Sequence, residues 1–360
     1  MSTNTRIAGI GTALPPHRIL QSEAATIAKQ FSCETPAQER LFETLYRRAG
    51  VEGRNSVVLR TSEGPLEGRQ EFYGGDAPTT RDRMKRYEES AGALAVAASR
   101  TALDEAGTDP ERVTHLVTVS CSGFYAPGFD VALIKRLELS RSVARTHVGF
   151  MGCQGALNGL RAARAFVEAD PRSVVLLCAV ELCSLHLQYG WDADLIVANA
   201  LFADGAGALV VESGAADSTA CYRVVASASA LIDDSEDAMS WRVGDHGFTM
   251  TLSSRVPDII NGHLRPWLES WLRLHGLGLD DVGSWAVHPG GPRILSAFEE
   301  ATGLDRAALE VSHRVLADHG NMSSPTILFI LDRLRREGGA KPVVALAFGP
   351  GLSVEAALLD

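Results

Sequence analysis

Cys153 sits in GFMGCQGAL (149–157), flanked by glycines and just ahead of the apolar helical run ALNGLRAARAFV (156–167). A thiol becomes a strong nucleophile only as thiolate, and an imidazolium or a helix N-terminus nearby lowers its pKa. The position ahead of a helix predicts such a lowering for Cys153. Gly152 and Gly155 permit a tight turn and close approach of a substrate. His288 in VHPGG and Asn321 in HGN each offer a hydrogen bond to a thioester oxygen, which would stabilise an enolate or a tetrahedral oxyanion. Each residue also has a plainer reading: a cysteine as packing, a histidine closing a strand, an asparagine in a left-handed turn.

An internal echo brings the three together. HLVTVSCSGF (115–124) and SWAVHPGG (284–291) are β-rich runs ending in small residues. VARTHVGFMGCQGALNGLRAARAFVE (143–168) and SHRVLADHGNMSSPTILFILDRLRRE (312–337) both read as strand, glycine-bearing turn, helix. SVVLLCAVE (173–181) and PVVALAFGPG (342–351) read as buried strands. Cys153 to Asn321 and Ser120 to His288 are both 168 residues apart, and Val174 to Val343 is 169. Segments repeating in order at one offset indicate two copies of an α/β unit, residues 1–215 and 216–360, layered αβαβα. The seam falls near VESGAADSTACYR (211–223). Equivalent loops of the copies then converge, which places a cysteine, a histidine and an amide in one cleft. Residues 53–85 read as an exposed excursion before a helix at about 87–106.

The chain has 360 residues, 46% hydrophobic and 22% charged, in the range of a globular α/β enzyme. A net charge of −10 argues against a nucleic-acid partner. No apolar run reaches the ~18 residues of a membrane span. The cysteines (33, 121, 153, 178, 183 and 221) form no framework, and Cys178 and Cys183 are not a C-x-x-C pair, so neither disulfides nor a zinc site is expected. Without a signal segment at the N-terminus, the expected location is cytoplasmic.

GFMGCQGALNGL, NALFADGAGALVV, WAVHPGGPRIL, HGNMSSPTILFILD and AFGPGLSVEAALL resemble the motif set of type III polyketide synthases, the chalcone synthase superfamily. The resemblance runs from IAGIGTALP (7–15) to the C-terminus. It implies the thiolase fold, with Cys153 as the acyl acceptor and His288 and Asn321 binding the thioester carbonyl and driving malonyl decarboxylation. Phe202 matches the family's gatekeeping phenylalanine, although plain core packing also suits it. In the pocket, Cys121, Cys183 and His186 stand where plant enzymes carry threonines. Trp241 replaces a glycine, Met250 replaces a second gatekeeping phenylalanine, and Ser323 matches a pocket serine. This departs from the plant pattern and resembles bacterial members. Arg47, Arg48, Arg54 and Arg60 fall where plant enzymes carry a lysine-rich stretch and are candidates for CoA phosphates. A solvated charged helix end is the competing reading.

The resulting expectation is an acyltransferase that repeatedly condenses malonyl-CoA onto an acyl-CoA starter held on Cys153. The product then cyclises to a pyrone, resorcinol or related aromatic. CoA thioesters are substrates, no metal or cofactor is needed, and a homodimer is expected from the family. The alternatives are a single-condensation β-ketoacyl synthase of the III type, or a homologue that binds acyl-CoA without extending it.

Overall fold

A computed structural model describes residues 5–214 and 221–360. The first half contains strands β1 (Thr5–Ala13), β2 (Arg18–Leu20), β3 (Gly53–Asn55), β4 (His115–Ser120), β5 (Ala144–Gly149), β6 (Val174–Leu182) and β7 (Asp204–Ser213). Its helices are α1 (Gln21–Ser32), α2 (Pro36–Arg48), α3 (Thr80–Ala106), α4 (Phe129–Arg136), α5 (Gly155–Ala169) and α6 (Ala193–Leu201). The second half contains β8 (Tyr222–Leu231), β9 (Met239–Gly244), β10 (Gly247–Leu252), β11 (Ser284–Val287), β12 (Val343–Gly349) and β13 (Ser353–Leu359). Its helices are α7 (Val256–Arg273), α8 (Pro292–Thr302), α9 (Glu310–His319) and α10 (Thr326–Arg336).

The duplication is visible in the strand order, β11-β12-β13-β8-β1-β7-β6-β4-β5. Outward from the β1/β8 seam the first half runs β1, β7, β6, β4, β5, and the second runs β8, β13, β12, β11. The pairing senses match: β4 with β6 and β11 with β12 are parallel, β6 with β7 and β12 with β13 antiparallel. Among the described residues, Arg6↔Arg223 and Ile7↔Tyr222 are the strand pairs that join the two sub-sheets. Between them lie α5 and α10, whose Leu157, Leu160, Ile327 and Leu331 pack on Val175, Leu177, Val343 and Ala345. Helix α3 covers the outer face of the first sub-sheet, and α7 and α8 cover that of the second. The chain therefore has the five-layered αβαβα arrangement of the thiolase fold. β6 and β12 are buried at every residue, as strands enclosed by helices on both faces must be.

Among the described residues the two sub-sheets differ by one strand. The strand expected around 312–318 is the helix α9, so the second sub-sheet has no counterpart of β5 there. Val311, Val315 and Leu316 recur at helical spacing, and Ser312, His313, Val315 and Leu316 make up its buried side. Helix α3 starts at Thr80, earlier than expected, where Thr79 and Asp82 form a capping box. The excursion at 53–85 is not wholly exposed: Arg54, Leu59 and Tyr73 are buried. The boundary placed at 215/216 lies outside the described residues. Among the described residues no helix is long and apolar enough to cross a membrane.

Candidate active site

The three expected residues stand on loops that meet across the middle layer. Cys153 lies in a single 3-10 turn between β5 and α5. Gly152 before it has φ +66°, and a Cβ there would come within 2.5 Å of Pro350, so the turn after β12 presses directly on the cysteine turn. Phe150 also has positive φ. His288 follows β11 and is anchored by its N–H to the Leu346 carbonyl at 2.8 Å. Asn321 follows α9 across Gly320, whose φ is +74°. The Asn321 N–H bonds the Leu201 carbonyl at 2.8 Å, and its carbonyl accepts from the Ala203 N–H at 2.9 Å, which fixes Asn321 beside Phe202. Its Oδ1 accepts from the Ser323 N–H at 2.8 Å, and its Nδ2 lies 3.4 Å from the Gly290 carbonyl in the His288 loop. The Asn321 and Ser323 side chains also face the Cys153 thiol and hold its pKa down against burial. Asn321 is thus the hinge between the other two. Ser323 has φ 54°, so backbone strain flanks both Cys153 and Asn321, as it often does at functional sites.

Electrostatically the site is dry. Burial pushes the Cys153 thiol up to about 11, although the hydrogen bonds from Ser323 and Asn321 pull it down. The lowering expected from the helix end is therefore outweighed by desolvation. Burial likewise takes His288 down to about 3, so the imidazole is neutral at neutral pH. His288 is only 1% exposed, and neither ring nitrogen has a hydrogen-bond partner in the protein. An unsatisfied buried imidazole is costly, and most buried polar groups avoid that state.

Cys153 opens on a chamber of about 320 Å³ lined by Cys121, Cys183, Phe202, Trp241, Met250 and Ser323, with Gly152, Met239 and Pro350 completing it. Six of the seven residues expected near Cys153 are thus brought together. The exception is His186, which lines the neighbouring cavity. Its Nε2 meets the Ser122 carbonyl at 2.7 Å and its Nδ1 accepts from the Phe248 N–H at 3.0 Å, so both ring nitrogens serve the framework. The Trp241 Nε1–H donates to the Cys121 carbonyl at 2.7 Å. Trp241 and Met250 are paired across the β9–β10 hairpin, which forms one wall.

The arginines separate. A cleft of about 1330 Å³ reaches Gly290 and Gly291 beside the His288 loop, with Arg48 and Arg293 as its cationic lining. Neither makes an ion pair among the described residues. Arg47 is exposed at the end of α2 but does not line the cleft, and Arg60 is exposed and paired with Glu71. Arg54 corrects the expectation of a phosphate ligand: it is 5% exposed. Its guanidinium donates to the carbonyls of Asn199, Ala200 and Phe202 and to Gln21. It closes the C-terminus of α6 and ties down the backbone of Phe202, which suits a cation at the negative end of a helix.

Sequence reasoning missed Glu181. Its fully buried carboxylate accepts from the N–H groups of Cys121 and Ser122 at 3.0 and 2.9 Å and from the hydroxyls of Ser122 and Ser324 at 2.5 and 2.7 Å. Burial raises its pKa against those bonds. It joins the Cys121 loop to the Asn321 loop. The only signal in the sequence is an acid inside the apolar run VVLLCAVEL. Among the described residues no cluster of three or more His, Cys, Asp or Glu could hold a metal ion, and the six cysteines are free thiols.

Comparison with known proteins assigns this geometry to a family. Residues 2–215 match the chalcone and stilbene synthase N-terminal domain and residues 223–360 the C-terminal domain. The chain is 34% identical to the alpha-pyrone synthesis polyketide synthase-like Pks18 of Mycobacterium tuberculosis over 98% of this chain and 90% of that protein. It is 35% identical to the 1,3,6,8-tetrahydroxynaphthalene synthase of Streptomyces peucetius subsp. caesius over 99% and 93%. The crystal structure of PKS-I from the brown alga Ectocarpus siliculosus superposes with a TM-score of 0.94 at 32% identity, covering 100% of this chain and 98% of that one. With both domain models matched, full-length relatives and the Cys153 chamber set among the loops of two α/β halves, this chain belongs to the chalcone and stilbene synthase family and is a type III polyketide synthase, an acyltransferase that extends a starter with malonyl units and cyclises the chain.

Proposed function

We propose that Cys153 carries the growing acyl chain and that His288 and Asn321 form the oxyanion site. The carrying observation is His288, buried and neutral with both ring nitrogens unpartnered, beside the Asn321 amide, whose Nδ2 lies 3.4 Å from the Gly290 carbonyl. Such donors are costly in the empty site and become satisfied when a thioester oxygen arrives. In the first step the Cys153 sulfur attacks the acyl-CoA carbonyl, and the CoA thiolate leaves with the proton lost by the thiol. Malonyl-CoA then places its thioester oxygen on the His288 N–H and the Asn321 amide. Its carboxylate departs as CO2, and the electron pair becomes an enolate. The enolate carbon attacks the Cys153 thioester and expels the cysteine sulfur, and the extended chain returns to Cys153 for the next round. Phe202 borders the chamber with an apolar ring, which favours a neutral leaving CO2 over a retained carboxylate. Arg48 and Arg293 suit the phosphates of CoA in the adjoining cleft.

Incubation with malonyl-CoA and an acyl-CoA starter, followed by mass spectrometry, tests the reading. Products carrying two or more malonyl-derived units, released as pyrones or aromatic rings, are expected without any carrier protein. A single extension that requires an acyl carrier protein would instead identify a β-ketoacyl synthase.

We also propose a homodimer paired through β5. That strand ends the sheet with five of its six residues exposed, and Phe124, Phe150 and Met151 are exposed beside it. A bare edge next to apolar side chains is a self-association surface. Sedimentation should give twice the 38.5 kDa chain mass. An Arg145→Pro variant, which removes an N–H that points away from β4 and so blocks edge pairing, should sediment as monomer, and a wild-type monomer would refute the proposal.

A further inference from the structure

The wall of the Cys153 chamber that carries Trp241 and Met250 is a hairpin outside the main sheet. Among the described residues β9 and β10 pair only with each other. Trp241 and Met250, with Cys183 and Phe202, line both the chamber and the neighbouring cavity, so the hairpin stands between two spaces. A two-stranded hairpin is marginal on its own in water, and this one must be held from outside. Its base is tied to the second half: the Gly351 N–H donates to the Met239 carbonyl at 3.3 Å, beside Pro350 of the chamber lining. Its tip is tied to the first half.

The ties at the tip come from the start of α3 and the chain just before it. The Thr80 N–H donates to the Asp245 carbonyl at 2.8 Å, and the Thr80 hydroxyl donates to the Gly244 carbonyl and accepts from the Gly247 N–H at 2.9 Å. His246 Nδ1 donates to the Ala77 carbonyl at 3.1 Å. Three residues into α3, Arg83 is fully buried, and its guanidinium donates to the carbonyls of Pro78 at 2.9 Å, Leu185 at 2.6 Å and Leu187 at 3.0 Å. The last two carbonyls flank His186. The His186 ring accepts from the Phe248 N–H, stacks on Phe248 at 4.3 Å and meets the Trp241 indole edge-on at 5.4 Å. Gly247, with φ +92°, lies so close to Arg83 that a Cβ there would come within 2.7 Å of its Cδ. Thr80, Arg83 and Gly247 hold the wall without lining the chamber.

We infer that Thr80 and Arg83 are positioning residues for this wall: by pinning the hairpin tip they fix Trp241 and Met250, and so limit how many malonyl units the chain takes up before it cyclises. The inference rests on the proposed growth of the chain on Cys153. One neutral hydrogen bond is worth about fivefold in an equilibrium, so losing the two made by the Thr80 hydroxyl favours a released tip by about 25-fold. A released tip lets the wall yield towards the neighbouring cavity, and the chamber then holds a longer chain. The loops of His288 and Asn321 are held by Leu346, Leu201 and Ala203 instead, so decarboxylation does not depend on the tip.

The test uses the full-length protein with malonyl-CoA and hexanoyl-CoA, the products being resolved by mass spectrometry. The ratio of products of different length does not depend on how much of the protein is folded, so it reports the wall and not a loss of stability. Thr80→Val should raise products with an extra malonyl unit by at least about fivefold relative to the main wild-type product. CO2 release from malonyl-CoA alone should be unchanged. Thr80→Ser, which keeps the hydroxyl, should retain the wild-type ratio. Gly247→Ala pushes the tip off Arg83, and the ammonium of Arg83→Lys cannot span three carbonyls, so both should repeat the Thr80→Val shift. Hydrogen exchange over residues 239–252 should quicken by about fivefold or more in Thr80→Val and stay unchanged over β12. An unchanged or shortened product distribution in the folded variants, or the same shift in Thr80→Ser, would overturn the inference. If the ratio does not move yet wild-type Cys153 is found acylated by intact-protein mass spectrometry, this inference alone fails. If Cys153 is never acylated, the underlying reading fails with it.

Discussion

Cys153→Ala should abolish extended product, lowering its formation by about 10⁴-fold or more, while malonyl-CoA still loses CO2. The two outcomes separate because the steps use different groups. Chain transfer needs a sulfur to hold the acyl group and later to leave. Decarboxylation needs only donors at the thioester oxygen, and His288 and Asn321 remain in the variant. Their placement does not depend on the thiol: Asn321 is fixed by its two backbone bonds to Leu201 and Ala203, and His288 by Leu346. Intact-protein mass spectrometry with the starter alone should show an acyl adduct on the wild type and none on the variant. Unchanged product formation by Cys153→Ala would refute the mechanism.

His288→Ala should slow malonyl-CoA decarboxylation by about 10²- to 10³-fold, the usual cost of one oxyanion donor. It should also alter stability in a way that an inert core histidine paired with its neighbours would not. Burial holds His288 at about 3, whereas an unfolded histidine titrates near 6.5. Between those values the unfolded chain takes up a proton that the fold refuses, so this group costs stability as the pH falls from about 6.5 towards 3. The slope is about 1.4 kcal/mol per pH unit for one such histidine. His186 is depressed in the same way, while Asp204, raised to about 6, and Glu181, also raised, act in the opposite sense. All three are common to wild type and variant, so the difference between the two proteins isolates His288. Urea unfolding at pH 6, 5 and 4 and one protein concentration should show the variant losing about 1.4 kcal/mol less per pH unit. Parallel curves would mean that His288 is not held neutral by burial.

Much of this site is legible in the chain itself because duplication leaves a periodic trace. The common offset linking Ser120 to His288 and Cys153 to Asn321 follows from two copies with nearly equal strand and helix lengths. The buried strand β12 shows as an unbroken apolar run, and β6 as one interrupted by Glu181 alone. The same logic misled at 312–318, where equivalence with β5 predicted a strand. Local helical spacing of Val311, Val315 and Leu316 prevailed, and the outer edge of the second sub-sheet does without a fifth strand. Arg54 shows a different limit. A basic residue near other arginines reads as a rim ligand, and nothing local reveals that the end of α6, some 145 residues later, closes over its guanidinium.

The sequence by itself determined the αβαβα duplication and singled out Cys153, His288 and Asn321 as one set beside the unusual pocket residues, because these depend on residue type and periodic spacing. Only the tertiary structure decided how those residues are shared out. Chain folding put Trp241, Met250, Cys183 and Phe202 on a partition between two spaces, locked His186 into the framework, and left Arg48 with Arg293 in the cleft. It also decided the protonation of the site. The helix end favours a thiolate at Cys153, but desolvation by surrounding side chains outweighs it, and desolvation is set by packing from distant segments that no local pattern records.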